Sequence, residues 1–351
     1  MRLHPLVRVL FWPASLLFGG IVRVRAWAYR RGILKQKRLR GVVISVGNLT
    51  VGGTGKTPMV LWLAERLHAQ DKRVAILIRG YRERVDSGLP AAKNAAVQGT
   101  QVMSDEVLLL AKRLGQKALI GAGPERYAHG LKLEEMGVEW FVLDDGFQHM
   151  QLARDVDIVL IDSTDPFGGG LLLPAGRLRE PPSALARADL IVITRTEHSP
   201  ANEAIVRRYS PAPLFYATTY LEGVRPLEAS RAEEATPAWL GKKVFAFCAI
   251  GNPAAFFDDV RHWGMDVVGQ MPFRDHFQFT QYDADQIEQR AKVSGAEALV
   301  CTEKDTYNLV DVRFTTLPAY SCNVSLRVTL EEEFWKSLLE ILERRRGVNV
   351  P

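Results

Sequence analysis

The sequence is poor in cysteine. Cys248, Cys301 and Cys322 are odd in number among 351 residues and form no CxxC pair. That argues against a disulfide framework or a cysteine-based zinc site and fits a reducing compartment. No uncharged apolar run reaches the roughly 18 residues of a spanning helix, which excludes a polytopic transporter. Internal repeats and low-complexity tracts are lacking as well. Hydrophobic residues make up 47% and charged residues 24%, so disordered, collagen-like and coiled-coil classes drop out. At roughly 150 residues per domain, the length suggests two domains.

Acidic residues are missing from positions 1–40, which hold ten Lys or Arg, leaving 35 basic and 40 acidic residues for the rest. The body is thus slightly acidic, and the pI near 9.1 comes from the arm. A nucleic-acid enzyme spreads basic charge over its body, so no nucleic-acid partner is expected. A basic and greasy arm points to an anionic membrane surface. Fourteen uncharged residues lie between Arg8 and Arg23, too few to span the bilayer, and Pro13, Gly19 and Gly20 weaken the helix. Leu17, Ile21, Val24 and Ala28 would form one apolar stripe with Arg23 and Arg30 opposite, while Trp12, Trp27 and Tyr29 favour the headgroup level. A monotopic anchor is the expectation. A cleaved signal peptide, suggested by Ala26-Trp27-Ala28, and a helix docked on the protein's own core are the competing readings.

Beyond the arm, strands alternate with helices. Strands are predicted at Val42–Val46, Val74–Ile78, Val138–Leu143, Asp157–Ile161 and Leu190–Thr194, with helices over Pro58–Ala69 and Ser104–Leu114. A second βα series begins at Val244–Ile250 and closes with a helix at Glu331–Arg346. This pattern predicts an α/β fold with parallel, doubly wound sheets. Residues 165–183 read as a long functional loop.

Thr50-Val51-Gly52-Gly53-Thr54-Gly55-Lys56-Thr57 lies between a predicted strand and a predicted helix. Glycines there let backbone N–H groups wrap phosphate oxygens; Lys56 would meet the β- and γ-phosphates and Thr57 would offer its hydroxyl to Mg²⁺. Thr50 stands where the general pattern has its first glycine. The strand ending in Asp144-Asp145-Gly146 suits the Mg²⁺-binding acid of such a site. Gln148 and His149 follow closely enough to reach nucleotide or metal. Ser104-Asp105-Glu106 reads either as an N-cap with acids in the first turn or as a general base beside the phosphate. Arg177 and Arg179 are phosphate ligands or surface charge, and Arg79-Gly80-Tyr81 has the same ambiguity. Asp275-His276-Phe277 would by itself be structural.

Taken together these residues resemble the tetraacyldisaccharide 4'-kinases of lipid A biosynthesis. The resemblance rests on Gly47 to Pro58, Arg79-Gly80-Tyr81, Ser104-Asp105-Glu106, Leu143 to His149, Pro174 to Glu180, Asp275-His276-Phe277 and Thr302-Glu303-Lys304-Asp305, in the family's order. It implies two α/β/α lobes with mostly parallel sheets, the N-terminal one P-loop NTPase-like, joined by a small β linker. The corresponding segments are a membrane-anchoring arm at 1–40, a kinase lobe at 41–215, a linker at 216–240 and a C-terminal α/β lobe at 241–351. It implies an ATP- and Mg²⁺-dependent kinase on the cytoplasmic face of the bacterial inner membrane. The acceptor would be the 4'-hydroxyl of an acylated glucosamine disaccharide 1-phosphate, the product lipid IVA, with no obligate protein partner. By position, Asp105 would be the base, paired with His276. Lys56 would hold phosphates, with Thr57, Asp144 and Asp145 around Mg²⁺. Glu106, Tyr81, Gln148, His149 and Arg177 would belong to the metal, substrate or supporting shell.

The competing functions are a P-loop GTPase, since Thr302–Asp305 and Thr194-Arg195-Thr196-Glu197 faintly resemble guanine-reading loops, and a membrane ATPase that transfers nothing to lipid.

Overall fold

A computed structural model describes residues 5–82, 102–227 and 239–347. Contacts divide the chain into two compact units, Met1–Thr219 with Leu326–Pro351, and Tyr220–Ser325.

The first unit opens with α1 (Pro5–Arg30). Then come β1 (Val42–Asn48), α2 (Lys56–Ala69), β2 (Val74–Ile78), β3 (Tyr81–Arg82) and β4 (Val102–Met103). Next are α3 (Asp105–Leu114), β5 (Ala118–Ala122), α4 (Arg126–Glu135), β6 (Trp140–Asp144) and β7 (Val156–Asp162). β8 (Leu190–Thr194), α5 (Pro200–Arg207) and the first part of β9 (Leu214–Pro226) complete the series. The strand order is β9-β8-β7-β1-β6-β2-β5, and every adjacent pair is parallel. All seven residues of β1 and all seven of β7 are buried, as expected of strands covered on both faces. Parallel pairing brings the C-terminal ends of β1, β6 and β8 to one edge, where the phosphate loop, Asp144 and Thr194 stand.

The second unit contains β10 (Lys243–Cys248), α6 (Pro253–His262), β11 (Asp266–Pro272), α7 (Gln281–Val293), β12 (Ala298–Thr302) and most of β13 (Ala319–Val328). Its order is β11-β10-β12-β13, again parallel. The core gathers Phe247, Phe279, Leu299 and Phe314.

The closing helix, α8 (Glu331–Arg346), returns to the first unit. This departs from a C-terminal lobe running to residue 351. The cause is aromatic: Phe334 packs edge-on against Trp62 and Phe215, and Trp335 stacks on Trp62 at 5.5 Å. Arg346 then reaches Asp155, whose carboxylate also accepts the Val43 N–H. The expected small β linker at 216–240 begins as a strand, β9, which occupies 214–226. Aromatic and β-branched residues such as Phe215, Tyr216 and Thr218 outweigh the neighbouring Pro, Ala and Glu. Residues 228–238 of that linker lie outside the described residues.

α1 differs from its expectation in length. It runs 26 residues through Pro13, Gly19 and Gly20. Val9–Arg30 has mean hydropathy 1.4 and is long and apolar enough to cross a membrane by length and composition alone. Arg23 and Arg25 do not end the helix, so the uncharged run understates it. Ser15, Gly19 and Ala28 face the body. The Ser15 hydroxyl donates to the Leu172 carbonyl at 2.8 Å, and a Cβ on Gly19 would lie 2.6 Å from Leu172 Cδ1. Leu17, Ile21 and Val24 are exposed, as the expected stripe required; Ala28 is buried instead.

Candidate active site

The phosphate loop is shaped by two close approaches. A Cβ on Gly47 would sit 2.6 Å from Phe147, so only glycine lets β1 pass the turn after β6. Gly55 has φ 84 and caps α2 in the left-handed region, which glycine adopts without strain. Lys56 and Thr57 therefore open α2, with the helix dipole directed at the loop. Inside the turn, the Asn48 side-chain amide donates to Thr54 Oγ at 2.8 Å, and the Thr194 hydroxyl donates to the Thr54 carbonyl at 3.1 Å. Thr50 bridges to Leu178, and the Val51 N–H donates to the Arg177 carbonyl at 2.8 Å. Thr50 at the first-glycine position thus adopts an extended bridge.

Arg177 braces the same turn, donating from Nε and Nη2 to the Val51 carbonyl at 3.0 and 2.9 Å. Gln148 donates to the Asn48 carbonyl at 3.0 Å and to Glu180 at 3.1 Å. Residues 165–183 are therefore structurally coupled to the loop that carries Gly52 and Gly53.

The acids lie next to Lys56. In the β1–β6 register Val46 pairs with Asp144, at the level where the phosphate loop begins. Lys56 Nζ is 3.7 Å from Asp145 Oδ1, and Arg179 Nη1 donates to Asp145 Oδ2 at 2.6 Å. Burial pushes Asp145 up, but the charges of Lys56 and Arg179 outweigh it and hold this carboxyl below its usual range. Asp144 goes the other way: burial first, then the charges of Glu106 and Asp145, push it up to about 7. Asp144 Oδ1 is buried with no hydrogen-bond donor among the described residues. Lys56 and Arg126 act on both carboxyls, but Asp144 also faces Glu106 and is more deeply buried, whereas Asp145 gains the bonded Arg179, so the two shift in opposite directions.

A raised acid is protonated more readily in the folded chain than in the unfolded one. Its stabilising contribution is full below the ordinary carboxylate range and is lost as pH rises through about 7. The thermal midpoint of the ligand-free protein is therefore expected to fall between about pH 5.5 and about pH 8. Asp144→Asn should reduce that slope. Asp305 in the second unit, raised to about 6, gives the same sign and remains in the variant. An unchanged slope in Asp144→Asn would contradict this assignment.

Ser104 caps α3, accepting the Val107 N–H, so the capping half of the Ser104-Asp105-Glu106 reading holds. Asp105 is nevertheless buried, at 3% exposure, and its carboxylate accepts the Glu106 N–H at 3.1 Å. Glu106 is close enough to raise Asp144. Tyr81 pairs with Met103 across the β3–β4 ladder, which brings the Gly80 segment beside Ser104. His149 is held down to about 4 by burial and by arginines led by Arg126, so it is neutral near pH 7. Arg126, the first residue of α4, carried no motif. It is buried beside the acids, with Nη1 3.5 Å from the Asp145 carbonyl.

His276 belongs to the second unit. It has φ 60, its N–H donates to the Ala249 carbonyl at 3.1 Å, and Nε2 lies 3.8 Å from Asp275 Oδ1. The Thr302–Asp305 segment is a structural turn: Asp305 accepts from the Ala249 N–H at 2.8 Å, the Thr302 N–H at 3.0 Å and the Thr302 hydroxyl at 2.6 Å. Those bonds occupy the carboxylate that a guanine-reading loop would present.

A glycine-rich turn, a lysine at a helix start and paired acids on the adjacent strand define a P-loop phosphotransferase. A family model described as tetraacyldisaccharide-1-P 4'-kinase matches residues 7–343. The chain belongs to this family. It is 40% identical over 315 residues to a tetraacyldisaccharide 4'-kinase from Geobacter metallireducens, covering 88% of this chain and 90% of that one. It is 36% identical to the protein of that name from Desulfotalea psychrophila, covering 94% and 95%. The crystal structure of LpxK from Aquifex aeolicus in complex with ATP superposes with TM-score 0.69 at 32% identity, covering 96% of this chain and 99% of that one.

Proposed function

We propose that the chain transfers the γ-phosphoryl group of ATP to the 4'-hydroxyl of a tetraacylated glucosamine disaccharide 1-phosphate, giving lipid IVA. The observation that carries this reading is Lys56 and the Asp144–Asp145 pair meeting at the edge of β1 and β6, in a chain of this family. Lys56 and the loop amides from Gly52 to Thr57 hold the β- and γ-phosphates. Asp105 takes the proton of the acceptor hydroxyl while that oxygen bonds to phosphorus and the bond to ADP breaks. Tyr81, Gln148, His149 and Arg177 support the acceptor or the loop. Incubation with ATP and the disaccharide 1-phosphate should yield, by mass spectrometry, one added phosphoryl group at the 4' position; unaltered disaccharide would overturn the reading.

The residues also suit Mg²⁺. Asp144 has a buried, unpartnered oxygen, and Glu106 and Asp145 crowd it with negative charge. Among the described residues no cluster of three or more His, Cys, Asp or Glu is arranged to hold an ion. That suits a cation bound by one or two carboxylates together with phosphate oxygens. Thr57 and Asp144 would hold it, with Asp145 and Glu106 nearby. When bound, Mg²⁺ neutralises charge on the phosphates.

The chain acts at the cytoplasmic face of the inner membrane, held there by α1. Leu10, Leu17, Ile21 and Val24 are 59–75% exposed. Full burial of each such side chain gives about 1.5–3 kcal/mol, so docking on the body leaves most of the helix's apolar energy unused. That favours a lipid surface over a core helix. Deletion of residues 1–28 is expected to abolish vesicle association and to lower activity on bilayer substrate by about tenfold or more. Unchanged association and activity would contradict the anchor.

A further inference from the structure

Beneath the second half of α1 lies a cavity of about 700 Å³. It belongs wholly to the first unit and falls within the roughly 300–1,000 Å³ of small-molecule sites. Val22, Ala26 and Trp27 line it from the helix, Ala184 and Ala188 from the body. Its acids are already matched: Asp157 pairs with Arg154, Glu180 with Arg187, and Asp189 with Arg345. Arg23 and Arg30 also line the cavity, yet among the described residues neither has an ion-pair partner. The surplus charge in the cavity is therefore positive and comes largely from the helix. The cavity borders the starts of β7 and β8, whereas the phosphate loop follows the end of β1. The cavity's Glu180 corner nevertheless reaches that loop through Gln148, which donates to both Glu180 and the Asn48 carbonyl.

We propose that this cavity holds the phosphate head group of an anionic glycerophospholipid, separate from the acylated sugar substrate. The proposal rests on the membrane reading above. Arg23 and Arg30 provide charge-assisted hydrogen bonds to the phosphodiester. Trp27 sits at the depth where amphipathic rings favour a lipid interface. The head group thus fixes how deep and at what rotation α1 sits, which a greasy helix alone does not specify.

The test is vesicle flotation with neutral phosphatidylcholine and with phosphatidylcholine carrying about one-fifth phosphatidylglycerol. Two variants are compared with the wild type. Arg23→Gln/Arg30→Gln removes the charge. Ala186→Trp, at an exposed alanine lining the cavity, fills the space and leaves the charge unchanged. Thermal midpoints verify that both fold. The wild type is expected to prefer the anionic vesicles, and both variants to lose about tenfold of that preference. A filled variant that retains the wild-type preference would overturn the cavity and leave a diffuse basic surface. A wild type that floats with neither vesicle would overturn the membrane reading itself, and a filled variant that alone loses the preference would support the cavity over bulk charge.

Discussion

Lys56→Ala is expected to lower phosphate transfer by about a thousandfold, or about 4 kcal/mol of transition-state stabilisation. The size follows from position. Lys56 follows the left-handed Gly55, lies 3.7 Å from Asp145 and is only 16% exposed in its side chain. Charge developing on the transferred group would meet a fixed cation at a helix N-terminus, where water screens poorly. Folding should change little, because Arg179 still holds Asp145. Lys56→Arg keeps the charge but replaces a compact ammonium with a planar fork, so it should rescue only part of the loss. Steady-state transfer rates with thermal midpoints for each variant test this. A tenfold effect or less would place Lys56 outside the phosphate grip.

Asp105→Asn carries the second large effect, a loss of about 10²- to 10⁴-fold in kcat. It separates the two readings of the Ser104-Asp105-Glu106 segment. Ser104 already supplies the cap, and asparagine still accepts the Glu106 N–H. A purely capping residue would therefore lose stability by tenths of a kcal/mol and leave kcat nearly intact. A base would lose kcat, leave nucleotide affinity within about twofold, and lose the acidic limb of the pH–rate profile. Rates against pH for both proteins decide between them. A wild-type profile in the variant would remove Asp105 from the chemistry.

How much of this was legible in the sequence depended on how local the signal was. The strands Val74–Ile78 and Leu190–Thr194 and the helix Glu331–Arg346 stand where β-branched runs and charged helix ends put them. The phosphate loop and the paired acids were legible because glycine, lysine and aspartate carry their chemistry within a few residues. What the chain does at long range was less visible. Helix α8 was readable as a helix, but its attachment depends on rings at Trp62 and Phe215, far away in sequence. Arg126 had no motif; its significance comes from burial beside Asp144 and Asp145, which only the fold brings about. The length of α1 was underestimated because Pro13 and two glycines cost helix propensity, and a long helix with an apolar face tolerates that cost. Thr302–Asp305 shows the opposite failure. Its residues suggested base recognition, and hydrogen bonding turned them to holding the backbone at Ala249.

The central claim is that the edge of β1 and β6 directs phosphate to a lipid sugar and not to water. The most direct test is to follow γ-labelled ATP in mixed micelles containing the disaccharide 1-phosphate, and to measure how the label divides between lipid and free phosphate. The wild type should place nearly all transferred label in the lipid, and Lys56→Ala and Asp105→Asn should abolish that labelling together. Label released as free phosphate, with none in the lipid and with turnover surviving Asp105→Asn, would contradict the claim.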